Sequence, residues 1–205
     1  MWDFIKSNWI NINSLITMII AIIAVIVPAQ IAKEQNKIAL YEKRFEYYEQ
    51  FEALKQFWLY VKDIGGLTKE SINNTTVLEY QFNYFNAHSI LEDKDFWRKG
   101  HDSSYQLFYV RSCLEVDRKM FLSIKLLVAT DSQIECIENA QYALEVFIKQ
   151  LFFKAAEQYK ISSSMREKEK AYDYESFFCK KEKFIEEFEK MSDVEKRFEQ
   201  LLKIQ

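Results

Sequence analysis

The hydrophobic pattern divides the chain into three regimes. No charged residue falls between Ser7 and Ala32, and the stretch from Leu15 to Val27 is almost wholly apolar. A membrane span needs about 20 apolar residues, and a core helix of this length would show a polar face. From Lys33 the charges begin abruptly. Ile38, Tyr41, Phe45, Tyr48, Phe51, Leu54 and Trp58 then recur at helical spacing with charges between them. That pattern predicts one long amphipathic helix leading on from the span, with no breaker before Gly65-Gly66. Its aromatic stripe is expected to pack on the body of the protein or on sister helices. A stiff helix of this kind would carry rotation of the body to the membrane.

Beyond the glycines, helix starts are marked by hydroxyl residues followed three positions later by glutamate. Thr76 precedes Glu79, Ser132 precedes Glu135 and Ser192 precedes Glu195, with Ser164 and Glu167 a fourth such pair. Helices are predicted from about Thr76 to Leu91, from Asp102-Ser103 to Val128, and from Ser132 to about Lys160. Two short amphipathic helices follow near the end, in "KKEKFIEEFEKMSDVEKRFEQLLKIQ". Their apolar series, with Phe184, Phe188, Val194 and Phe198, suits either self-packing or a partner. The predicted organisation is an amino-terminal transmembrane segment over 1–32, a juxtamembrane helix over 33–64 and a helical domain over 65–205.

Composition supports an all-α fold. The 205 residues include three glycines and one proline, too few turn formers for a β-rich domain. Aromatic residues make up 16%, enough for large packing areas. A net charge of −3 gives no global pull toward nucleic acid. The cysteines, Cys113, Cys136 and Cys179, are odd in number and lack CxxC spacing, which points to reduced thiols in a cytosolic setting.

The opening segment has two rival readings. Val27-Pro28-Ala29 resembles a cleavage site, but the amino-terminal flank is poor in positive charge and the apolar run is long for an export signal. A retained span is the reading taken. Lys33, Lys37, Lys43 and Arg44 outweigh Lys6, so the positive-inside rule places the body in the cytoplasm and Trp2 and Trp9 at the outer interface. Asn13, Thr17, Ala21, Ala24 and Pro28 are spaced four, four, three and four apart and share one face. Small residues there suit close helix association or the lining of a narrow path, and they also occur in ordinary spans. A lone helix cannot enclose a pore, so a channel requires a homo-oligomer.

The search for chemistry finds little. There is no Gly-rich phosphate loop, no HExxH and no GxSxG. The two histidines, His88 and His101, have no metal-ligand spacing with the cysteines, and no metal or cofactor is expected. "EDKD" at Glu92–Asp95 reads as a solvated helix start. No catalytic residue is assigned. One stretch, "DFWRKGHDSSY", brings Trp97, Arg98, Lys99, His101 and Tyr105 together ahead of a helix start, with Arg111 two turns on. Cations, a stacking aromatic and a helix N-terminus suit an anionic ligand bearing a base; an ordinary helix connection around a tryptophan is the alternative.

A short outer end, one span and then "AKEQNKIALYEKRFEYYEQF" is an arrangement that resembles small single-span proteins of bacterial anti-phage systems, in particular membrane effectors of the Hailong type. The resemblance covers about Ile31 to Phe51 together with the architecture. It implies an oligomer, taken as a tetramer, whose spans form an ion channel in the inner membrane. It also implies gating by an oligonucleotide or nucleotide signal made by a partner enzyme. No ligand residue of that family maps onto this sequence. The other readings are a membrane-tethered interaction module without a pore and, third, a membrane-associated enzyme.

Overall fold

The computed structural model describes residues 2–63, 74–99, 103–154 and 173–203; the side chains at 2–8, 10–13, 74–75, 99, 103–104 and 154 fall outside the description. Within those residues the chain is all-α, without a strand. The helices are α1 (Trp2–Asp63), α2 (Asn74–Ala87), a 3-10 turn (Ile90–Glu92), α3 (Lys94–Lys99), α4 (Ser103–Leu127), α5 (Asp131–Ile148) running on as a π-helical stretch (Lys149–Lys154), α6 (Tyr174–Glu189) and α7 (Ser192–Lys203). Two compact units result, Met1–Lys43 and Arg44–Gln205, and the division falls inside α1. Gly65-Gly66, Ser164, Glu167 and Lys160 lie outside the described residues.

In the first unit, α1 carries its apolar side chains outward. Leu15, Ile19, Ile22, Val25 and Ile26 are all exposed. The helix passes through Pro28. Proline removes one backbone donor, and transmembrane helices tolerate it because neighbouring groups re-satisfy the freed carbonyl. Among the described residues this is the one helix long and apolar enough to cross a membrane. Its most apolar 18-residue window has a mean hydropathy of 2.6 and none of it is buried.

The second unit is a helical bundle with an aromatic core. Phe51, Leu54 and Trp58 of the predicted stripe are buried on α1 together with Phe57 and Val61, which the stripe did not include, while Ile38 and Phe45 of the stripe are exposed. Phe147 on α5 is fully buried at the centre. Its ring lies 5.4 Å from Phe184, 5.5 Å from Phe177, and 6.3 Å from both Phe57 and Tyr80. Helix α5 packs against α4 and α6. At the far side Phe198 of α7 meets Tyr48 at 5.4 Å and Phe51 at 6.4 Å. Lys55 of α1 pairs with Glu195 of α7, and Trp58 Nε1 donates to the Ile185 carbonyl at 3.2 Å.

The carboxy end of α4 is closed by two distant arginines. Arg44 donates to the Leu127 carbonyl at 3.3 Å and Arg197 to the Val128 carbonyl at 2.6 Å. Cations at this end answer the orphan carbonyls and the negative end of the helix dipole.

Helix starts depart from the sequence expectation in two places. Thr76 lies inside α2 and is buried, and Glu79 accepts from the Tyr60 hydroxyl at 3.4 Å. Helix α5 begins one residue early: its capping box is Thr130 with Gln133, not Ser132 with Glu135. In both cases a tertiary contact or a neighbouring cap outcompetes the short sequence signal. Helix α7 begins at Ser192 as expected, although Glu195 is engaged by Lys55 across the bundle. Asp173, which no box marked, caps α6 by accepting from Ser176 N at 2.9 Å.

The helix starting at α5 loses α-periodicity at Lys149. A π-turn frees carbonyls from the regular ladder and widens the face that points inward. Gln150, Leu151 and Phe152 are consecutively buried, and Gln81 donates to the Leu151 carbonyl at 2.7 Å.

Arg118 joins α4 to α5 by a two-pronged contact with Glu145, at 3.0 Å and 2.8 Å. Those hydrogen bonds outweigh the effect of burial and hold the Glu145 carboxyl down at about 2. A depressed carboxylate contributes stability above its ordinary value of 4.5, and that contribution is lost as pH falls toward 2. Because Arg118 is 44% exposed, solvent screening keeps the contribution to about 0.5–1 kcal/mol. Thermal melts of Arg118→Gln and the parent protein should therefore differ at neutral pH and converge in acid. A gap that persists undiminished at low pH would mean that the arginine acts through packing.

Candidate functional site

The stretch singled out for ligand binding is only partly assembled. Asp93 accepts from Asp95 N at 2.7 Å and so caps the short helix α3, which carries Phe96, Trp97 and Arg98. Phe96 is buried and anchors the helix through Phe85, 5.1 Å away, and Tyr109, 5.4 Å away. Trp97 is 61% exposed, yet its Nε1 donates to the Leu91 carbonyl at 2.6 Å, which fixes the indole. The indole lines a groove of about 390 Å³ with Leu78, Gln81, Phe82, Phe85, Phe96 and Gln106.

Neither Arg98 nor Arg111 lines that groove. Arg98 is paired with Asp95 at 2.7 Å, and the Arg111 guanidinium lies over the Phe153 ring at 5.9 Å. Tyr105 sits on the first turns of α4, also outside the lining. His101 and the side chain of Lys99 lie outside the described residues. The groove thus offers flat apolar surface, which suits a ring that stacks, while the Gln81 amide on its wall already donates to the Leu151 carbonyl.

A second cavity, of about 380 Å³, lies between α1, the end of α2 and α4. Its apolar walls include Ala53, Ala87, Ile90 and Val116; Glu46, Glu49 and Gln50 stand along α1, and His88, Cys113 and Asp117 lie at its base. His88 Nε2 lies 2.8 Å from Asp117 Oδ1, and Tyr84 Oη donates to Asp117 Oδ2 at 2.6 Å. Burial and the nearby carboxylate push the Tyr84 phenol well up, and burial with Asp117 pushes the Cys113 thiol up, so neither ionises near neutrality. The sequence held a signal for this cluster that spacing motifs do not capture. Asp117 interrupts the buried series Val110, Cys113, Leu114, Met120, Phe121 and Ile124. A carboxylate on an apolar helical face must be partnered, and Tyr84 with His88, four residues apart, supplies the partners.

The small and weakly polar residues singled out in the sequence lie on α1. Thr17, Ala21, Ala24 and Pro28 are exposed, and the side chain of Asn13 lies outside the description. Among the described residues no group of three or more His, Cys, Asp or Glu side chains could hold a metal ion. The three cysteines are free thiols: Cys113 buried, Cys136 half-buried and Cys179 exposed.

No protein family, curated protein or solved structure matches the chain. The class that can be stated is an all-α protein with one candidate membrane-spanning helix near its amino terminus.

Proposed function

We propose that the protein is a single-span membrane effector. In this reading the apolar part of α1 crosses the bacterial inner membrane with its amino end outside. Copies associate through the spans into an oligomer, and the cytoplasmic helical domain responds to a nucleotide-like signal. The response opens an ion path, as part of anti-phage defence. The observation that carries the reading is the apolar stretch of α1, whose 18-residue window is wholly unburied at a mean hydropathy of 2.6. So much exposed apolar surface is costly in water and is covered by lipid or by other spans. Lys33, Lys37, Lys43 and Arg44 support the cytoplasmic placement of the domain. The groove beside Trp97 supports the signal, by offering a stacking surface to a base.

A second reading is a membrane-tethered interaction module with neither pore nor catalysis. It is favoured by Leu78, Phe82 and Phe108, large apolar residues exposed on the same domain as Trp97.

Two measurements test these readings. A reporter enzyme fused after Gln205 should be active in the cytoplasm and silent in the periplasm; the reverse would reject the orientation. The stoichiometry of the protein purified from membranes should be a defined closed oligomer. A monomer would remove the channel and leave the tether.

A further inference from the structure

His88 sits in the turn that ends α2, and both of its ring nitrogens face oxygen acceptors. Nδ1 lies 3.0 Å from the Tyr84 carbonyl and Nε2 lies 2.8 Å from Asp117 Oδ1. A carbonyl oxygen only accepts, so Nδ1 carries a hydrogen. The second oxygen of Asp117 already receives the Tyr84 hydroxyl, so an ionised Asp117 between two donors satisfies the whole cluster. We infer that His88 is held as an imidazolium against Asp117, and that its proton is a latch fixing the turn after α2 to the middle of α4.

The surroundings favour the charged form. From α2 the facing group is Tyr84; from α4 they are Asp117 and Cys113; from α1 Glu46 and Glu49 line the same cavity, which has no lysine or arginine in its lining. Glu145 of α5 is engaged by Arg118. Burial works against the imidazolium, but Asp117 and the Tyr84 carbonyl outweigh it and hold His88 above its ordinary value of 6.5.

Loss of the proton would leave Nδ1–H on the Tyr84 carbonyl and turn the Nε2 lone pair toward a carboxylate oxygen. Two acceptors would then face each other in a site where Asp117 is 3% exposed. The next residue, Ser89, is the one non-glycine with positive φ among the described residues, at φ 53° and ψ 19°. Such a backbone persists where its surroundings hold it: Ser89 N donates to the Asn86 carbonyl and the Ser89 carbonyl accepts from Glu92 N, and the His88–Asp117 pair is the adjacent side-chain tie to another helix. Ala87, His88, Ser89 and Ile90 form one wall of the 380 Å³ cavity, so the proton sets the shape of that wall. For a histidine whose folded value is raised, the contribution is complete below 6.5 and is lost as pH rises through the folded value. The latch therefore opens on the alkaline side.

The test uses the full chain in detergent micelles or nanodiscs with ¹⁵N-labelled histidine, and His88→Gln and His101→Gln to assign the two rings. The expected result is that both His88 nitrogens are protonated at neutral pH, with a midpoint above 6.5. Exchange of the amides at 87–93, corrected for intrinsic chemistry, should rise at least about tenfold between about pH 6 and pH 9 in the parent protein and stay flat in His88→Gln. A neutral His88 ring at pH 7 overturns the inference, as does an exchange profile that runs parallel in the two proteins. If His88→Gln does not fold, the ring titration of His88, assigned through His101→Gln, decides alone.

Discussion

Phe147→Ala should destabilise the helical domain by about 3–5 kcal/mol, the range for deleting a large aromatic side chain from a core that collapses only partly. Phe147 is fully buried, and four rings from α1, α2 and α6 stand within 6.3 Å of its centroid. Those neighbours are themselves held by other elements, so they cannot close over the vacated volume. Each ring pair also contributes beyond its buried area. Chemical denaturation of the full chain in detergent, followed by helical circular dichroism, reads the loss. Tyr142→Ala on the same helix is the control, because Tyr142 is 72% exposed and surface changes stay within about 0.5 kcal/mol. A Phe147→Ala loss no greater than the control's would show that the aromatic cluster is not the centre of the fold.

On the channel reading proposed above, Ala24→Leu should abolish ion leakage and growth arrest on activation, with protein level and membrane insertion unchanged. The substitution keeps helix propensity and adds hydrophobicity, so insertion survives. It adds bulk on the face that Thr17, Ala21 and Pro28 share, and bulk matters only where helices approach closely. Ile22→Leu, off that face, supplies the control. Ala21→Leu repeats the test one turn away. Full activity of both bulky variants would mean that this face meets lipid and that the spans do not associate through it.

The elements that announced themselves in the sequence are those whose periodicity serves a single purpose. Phe51, Leu54 and Trp58 stand at helical spacing because one face of α1 is buried, and the core bears this out. The abrupt change at Lys33 was equally plain, since apolar and charged residues have no reason to segregate so sharply along a soluble helix. Boundaries were less legible. Thr130 and Ser132 are both competent caps two residues apart, and only the backbone geometry around Thr130 decides between them. The ligand stretch shows a different difficulty. Arg98 and Arg111 look available in sequence, but Asp95 on the next turn and Phe153 on a distant segment occupy them. Local neighbours were readable; the distant partner was not. His88 and Asp117 were visible as residues, yet their meeting depends on how α2 crosses α4.

The contact between Phe51 and Phe198 also orders events in time. A ribosome makes the chain from its amino end, so α1 emerges long before α7. Until Phe198 and Glu195 are released, the stripe at Tyr48, Phe51 and Lys55 lacks the surface that covers it in the finished protein. The orphan carbonyls at Leu127 and Val128 likewise acquire their arginines from segments made before and after them, Arg44 earlier and Arg197 later. The domain therefore closes around the Tyr48–Lys55 stretch of α1 only once α7 has been made, and until then the nascent chain carries uncovered aromatic surface that calls for a chaperone or for prompt packing.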